Sequence, residues 1–131
     1  MDDLRERGSL ELAYLGDAVY ELCVRRMLLA RGSAGAGKLN RAALSYVTAH
    51  AQSIAAQSLI ALFSEEEAAV YRRGRNAHPK TVAKHNDPGE YARATALEAV
   101  FGYLALAENQ ARIESLFRAA VQAIDNHKEE I

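Results

Sequence analysis

Two acidic residues stand where helix formation alone does not explain an acid. Asp17 follows Gly16 directly and is set among Leu12, Leu15, Val19 and Leu22. Asp is a poor helix-interior residue, and Gly costs roughly 1 kcal/mol there relative to Ala. Gly16 would let another helix or a ligand approach the backbone closely, and Asp17 would face that approach. Asp17 and Glu21 also stand at i,i+4, where like charges repel slightly. The alternative is a solvated acidic face, with Glu21 paired to Arg25. Glu98 lies in Ala94-Thr95-Ala96-Leu97-Glu98-Ala99-Val100-Phe101-Gly102, with no Lys or Arg at 94, 95, 101 or 102 to neutralise it. A carboxylate in that setting needs a partner from elsewhere, or it must protonate. A metal ion is one such partner, and an Arg from another helix is the structural alternative.

Two helices, each bearing an acid near a Gly, could cross and bring the carboxylates together. Hard oxygen ligands of that kind suit Mg²⁺ or Mn²⁺, which also bind phosphates and water. Such ions activate water in phosphodiester cleavage. The charge map supplies the other half of that chemistry. The chain has 131 residues, 16 of them basic and 17 acidic, for a net charge of -1. Near-neutrality taken alone argues against nucleic acid. Yet Arg72, Arg73, Arg75, Lys80 and Lys84 all lie between Tyr71 and His85, a stretch without a single acid. A charge run is commonly a solvated face. Here it contains Gly74 and Pro79 and leads into the segment that carries Glu98, a placement that favours phosphate contacts. No aromatic residues interleave the stretch from 72 to 86, so duplex backbone contacts fit better than single-strand stacking.

The elements that must position these residues read as helices. Ala and Leu dominate, Trp is absent, and β-branched runs are missing, so an all-α fold of five or six helices is expected. The first helix is predicted over Ser9 to Arg31, with Ser9 as its cap and Leu12, Leu15, Val19 and Leu22 as its apolar stripe. Gly32 to Gly37 stops it. Helical pattern resumes near Lys38 and runs to about Phe63, with a break around Tyr46 to Thr48. Ser64-Glu65-Glu66-Glu67 is a capping box opening a short helix that ends near Gly74, and 75 to 86 read as a loop. Asp87-Pro88-Gly89-Glu90 is the clearest helix start, with Asp87 as cap, Pro88 in the first turn and Glu90 completing the box. That helix should run to about Ala107, and Asn109 should begin a last one ending near Asn126.

Other chemistries are poorly supported. Cys23 is alone, no Cys/His cluster has zinc spacing, and Cys23 reads as a small core residue. His50 and His127 read as isolated surface residues, and His78 and His85 lack metal-ligand spacing. Gly32 to Lys38 has glycines and a lysine but no preceding strand, so it is not a nucleotide loop. The charged segment Met1 to Arg7 lacks the apolar run of a signal peptide. No apolar stretch approaches the roughly 20 residues of a membrane span. A soluble, cytoplasmic, single-domain protein over 1–131, with its core at about 9–126, is expected.

Leu12-Ala13-Tyr14-Leu15-Gly16-Asp17-Ala18-Val19-Tyr20-Glu21 resembles the signature helix of ribonuclease III, built on a Leu-Gly-Asp triplet. Thr95-Ala96-Leu97-Glu98-Ala99-Val100-Phe101-Gly102 resembles that family's second acidic helix. Arg72-Arg73-Gly74-Arg75-Asn76-Ala77, Tyr20-Glu21, and Thr81-Val82 followed by Lys84 look like the Mini-III branch. The likeness runs from about Leu10 to Ile124. It implies the ribonuclease III catalytic-domain fold, with Asp17 and Glu98 as catalytic, metal-binding residues. Arg72, Arg73, Arg75, Asn76, Lys80, Lys84 and His85 would contact RNA. It further implies a homodimer, Mg²⁺ (with Mn²⁺ as substitute) as cofactor, cleavage of double-stranded RNA to 5′-phosphate and 3′-hydroxyl ends, and maturation of 23S ribosomal RNA ends. Full ribonuclease III carries glutamates where this chain has Leu10 and Ala13, and an aspartate where it has Thr95. The Mini-III branch looks similar in these losses. They leave open how many metal ions bind, and they define the alternative, a non-catalytic duplex-RNA-binding module of the same fold. A further alternative is an all-α interaction protein in which Asp17 and Glu98 are structural. The second, duplex-RNA-binding domain of full ribonuclease III is not expected after Ile124, so grip would fall to the catalytic domain.

Overall fold

Six α-helices and one 3₁₀ turn make up the secondary structure of the computed structural model, which describes residues 8–32, 35–77 and 87–130. In chain order they are α1 (Ser9–Arg31), α2 (Ala36–Val47), α3 (Ala49–Leu59) with the 3₁₀ turn Ile60–Leu62, α4 (Glu65–Arg75), α5 (Pro88–Leu106) and α6 (Gln110–Glu130). No strand occurs among the described residues, and the all-α expectation holds. No helix among them is long and apolar enough to cross a membrane.

α5 is the axis of the fold. From Ala94 to Leu104 only Glu98 and Tyr103 escape full burial. A helix apolar on nearly every side must be surrounded, and α1, α3 and α4 all pack on it, with α6 behind α3. Two of these contacts bring backbone against backbone. A Cβ on Gly16 would lie 1.6 Å from the carbonyl oxygen of Glu98, and one on Gly102 would lie 1.9 Å from that of Leu12. A Cβ on Gly74 of α4 would lie 2.8 Å from the Cα of Ala96. Only glycine permits these approaches.

The close crossing also decides which face of α1 is the core face. Its buried line is Leu12, Gly16, Tyr20, Val24 and Leu28, with Ala13 beside it. The stripe expected from hydrophobicity is therefore displaced. Of its members only Leu12 is buried, Leu15 and Val19 lie at the margin, and Leu22 is 56% exposed. The glycine seam selects the face, and the Tyr20 ring fills it, edge-on to Phe101 at 5.3 Å and to Phe117 at 5.4 Å.

The helix ends are set by capping residues. Gly8, not Ser9, precedes α1, and no side chain caps it. Thr48 makes the break between α2 and α3 by accepting from the Ala51 amide at 3.2 Å. The Ser64/Glu67 box forms as expected. Glu67 then does a second job, receiving a two-pronged guanidinium from Arg112 of α6 at 2.8 and 2.9 Å. Asp87 caps α5 by accepting from the amides of Gly89 and Glu90. Glu90 does not complete that box, because its carboxylate turns to His50 instead. Asn109 caps α6 through the Arg112 amide, and α6 runs four residues past the expected end at Asn126.

The seam makes a sharp contrast between glycines. Gly102→Ala should lose at least about 3 kcal/mol or fail to fold, because backbone rather than a flexible side chain is in the way. Gly37→Ala, where the new methyl would meet only an Arg41 guanidinium nitrogen at 3.7 Å, should be neutral or gain up to about 1 kcal/mol. Urea denaturation of both variants checks this; a near-neutral Gly102→Ala would refute the close crossing.

Candidate active site

The seam places the two acids. Gly16 touches the carbonyl of Glu98 itself, so the next residue along α1, Asp17, is delivered to the Glu98 side chain. The two carboxyl groups come within hydrogen-bonding reach of each other. Asp17 is exposed and Glu98 is half-buried, so the pair opens to solvent on one side and to the core on the other. From α3, the Nε2 of Gln52 donates to Oε2 of Glu98 at 3.4 Å. Gln52 is only 2% exposed, so its amide is held in place by packing. Burial pushes the Glu98 carboxyl from an ordinary 4.5 up to about 8, and the neighbouring Asp17 charge pushes the same way. The Gln52 amide works against both, since a donor favours the ionised form.

This donor set fits a hard divalent cation. Two carboxylates converge, one is desolvated, and no cation is paired with Glu98 among the described residues. No third acid, His or Cys joins them to make a closed cluster among the described residues. That suits an ion which keeps several waters and binds through one or two carboxylates plus substrate phosphates. Of the positions that differ from full ribonuclease III, Ala13 and Thr95 are buried and Leu10 is exposed, so none supplies a further oxygen anion.

The basic residues divide. Arg72 and Arg73 lie in the short helix as expected, whereas Arg75, expected at the start of the loop, is still helical. All three form the last turns of α4, whose Gly74 is seated on α5 two residues before Glu98. A glycine at 74 looks like a helix stop in sequence, but here it is a packing contact inside the helix. Arg72 and Arg75 are exposed, and Arg73 is half-buried and already engaged. Asn76, also exposed, is the C-cap, its amide donating to the Arg72 carbonyl at 3.1 Å. Lys80, Lys84 and His85 lie outside the described residues. Glu21 pairs with Arg25 at 3.0 Å, as its bland reading required, which leaves Asp17 as the acid facing Glu98.

Three residues of the site were not anticipated. Gln52 holds Glu98, and Ser53 beside it accepts from Nε of Arg93 at 2.6 Å. The only sequence signal was a polar Gln-Ser pair inside an Ala-rich helix, and the same pair recurs at Gln57-Ser58, where both residues are exposed.

The ribonuclease III domain family matches residues 10–109. A Mini-ribonuclease 3 of Enterococcus faecalis is 37% identical over 131 residues, covering 98% of this chain and 99% of that protein. One from Symbiobacterium thermophilum is 46% identical over 116 residues, covering 88% and 89% respectively. The crystal structure of protein FN1578 from Fusobacterium nucleatum superposes with a TM-score of 0.82 at 32% identity, covering 93% of this chain and 98% of its own.

The raised Glu98 carboxyl has a consequence for stability. Because the folded form holds its proton up to about pH 8 while the unfolded chain releases it near 4.5, the folded state binds more protons in between. Stability from this group is full below the lower value and is lost as pH rises through the upper one. In metal-free buffer, Glu98→Gln should therefore gain on wild type as pH rises from 5 to 9. Urea midpoints across that range test it, and a difference that does not change with pH would contradict the desolvated carboxylate pair.

Proposed function

The chain belongs to the ribonuclease III family, in its Mini-ribonuclease 3 branch, and on that premise we propose that it is a metal-dependent endoribonuclease acting on double-stranded RNA. The observation that carries this reading is the meeting of Asp17 and Glu98 at the glycine seam, a site for a divalent cation beside the basic end of α4. Asp17 and Glu98 would hold Mg²⁺, or Mn²⁺ in its place. Such an ion supplies an activated water and charge neutralisation at a phosphodiester, giving 5′-phosphate and 3′-hydroxyl ends.

The chain's own residues do the rest. Gln52 holds one oxygen of Glu98. Asp17, exposed on α1, is the acid reached first from solvent. Glu98 would have to give up its proton to hold a cation, so cation uptake and proton release would be linked. Arg72, Arg75 and Asn76 stand at the exposed end of α4, and their cations suit phosphate contacts that set register without reading bases.

One such site cuts one strand, so cutting a duplex calls for two. A homodimer is the natural arrangement. It is supported by an apolar patch of Leu10, Tyr14 and Leu106 beside the seam, in which Tyr14 is 85% exposed. Large exposed apolar groups gathered in this way mark interaction surfaces. Within this reading the natural substrate is the duplex formed by the ends of a 23S ribosomal RNA precursor, the role the Mini-III resemblance implies.

The deciding experiment is cleavage of a labelled RNA duplex in Mg²⁺ and in EDTA. Asp17→Asn and Glu98→Gln should each cut on the order of a thousandfold more slowly than wild type while still binding. Binding by wild type with no cutting under any divalent metal would instead identify a non-catalytic duplex-binding module. In the same assay, Arg72→Ala with Arg75→Ala should lower the slope of log affinity against log salt by about one for each phosphate contact removed. An unchanged slope would remove the end of α4 from the RNA surface.

A further inference from the structure

Arg93 is tied to the site through Ser53, and the cleavage reading gives its charge no task. It lies five residues before Glu98 on α5, about 7.5 Å along the helix axis. Its side chain is half-buried, and no carboxylate is paired with it among the described residues. A guanidinium drawn partly out of water without an acid is unfavourable unless something else satisfies it. Among the described residues its hydrogen bond is from Nε to Ser53 Oγ, at 2.6 Å. That bond uses the inner nitrogen and leaves both terminal nitrogens, the pair that grips a phosphate bidentately, unspent.

The anchor is as telling as the charge. Ser53 directly follows Gln52, whose amide holds Glu98, so one peptide unit of α3 orients both an acid and a cation of α5. The cation also has company. The Tyr71 hydroxyl is buried and has no hydrogen-bond partner among the described residues. Burial pushes that hydroxyl up, and Arg75 and Arg93 both pull it back. Arg75 at the end of α4 and Arg93 in the first turns of α5 thus both act on the Tyr71 hydroxyl.

We infer that Arg93, oriented by Ser53, is a phosphate-binding residue that takes a backbone phosphate of the RNA strand flanking the one at Asp17 and Glu98. The inference rests on the ribonuclease reading and extends it. Arg75 at the end of α4 would continue the same phosphate track away from the acids. Arg93 thus belongs to the substrate-contacting set, and Ser53 is a positioning residue acting through it.

The test is duplex RNA binding as a function of salt, in a Glu98→Gln background so that cleavage does not intervene. Arg93→Gln should weaken binding roughly fivefold to tenfold at moderate salt and lower the salt slope by about one, while Arg93→Lys keeps the slope. A salt slope unchanged in Arg93→Gln would show that Arg93 only clasps α5 to α3 and would overturn the inference. A second readout needs no folded variant of altered charge. In the wild-type protein, the Arg93 Nε–H resonance, identified by its loss in Arg93→Lys, should shift on saturation with the duplex, and an unmoved resonance also overturns it. If wild type neither binds nor cuts RNA, the ribonuclease reading fails and takes this site with it. If wild type does both while the slope and the resonance stay fixed, only the Arg93 inference fails.

Discussion

The rest of the structure depends on two helices touching backbone to backbone. Gly16 and Gly102 remove the side chains that would keep α1 and α5 apart, and the carbonyls of Glu98 and Leu12 fill the space. Helix pairs ordinarily stand 8–10 Å apart because side chains separate them. Giving up that separation brings the backbones together and fixes the rotation of each helix about its own axis. Once the seam is set, Tyr20 must enter the core between Phe101 and Phe117, and Asp17 must face Glu98. The intrinsic cost of glycine in two helix interiors is offset by the apolar burial that surrounds α5 on nearly every side.

The same seam also sets an electrostatically unfavourable pair of acids together. A carboxylate is drawn toward the core and set against another acid, with only a 3.4 Å amide contact in its favour. Proteins retain such arrangements where function needs them, and perturbed carboxyl groups in company are a mark of functional sites. The surrounding fold compensates with interactions that are fully satisfied. Glu67, buried at the start of α4, receives both its own capping amide and the Arg112 fork. Asp87 closes the start of α5. Fully paired polar groups thus lie at helix ends, and the opposed carboxyl groups lie at the centre.

What the sequence made legible was whatever is decided locally or by incongruity. Caps at Ser64 and Asp87 are local, because a side chain three residues away suffices to form them. The incongruity of Gly16-Asp17, and of Glu98 in an apolar run, was visible because each breaks the pattern around it. What was hidden depends on which face a neighbour covers. Leu22 looked like core and is exposed, because α1 turns its glycine line inward instead. Gly74 looked like a stop and is a packing contact. Gln52-Ser53 and Gln57-Ser58 are the same dipeptide five residues apart on one helix, and only tertiary contact ties the first pair to Glu98 and Arg93 and leaves the second in solvent.

On net charge alone, a nearly neutral chain with 17 acids is a poor match for a polyanion, and the proposed site offers a resolution. Net charge governs long-range attraction, but that field is screened within about 10 Å at ordinary salt. Closer in, α5 presents an acid and a cation about two turns or less apart, held in register by consecutive residues of α3. In the proposed reading the acids repel a phosphate until a divalent cation neutralises them, whereas Arg93 and the end of α4 attract it throughout. Cation and RNA must then raise each other's affinity by the same factor, since coupling between two ligands is reciprocal. In that reading an acidic body with a narrow basic edge would make productive binding conditional on the metal, which a uniformly basic surface would not do.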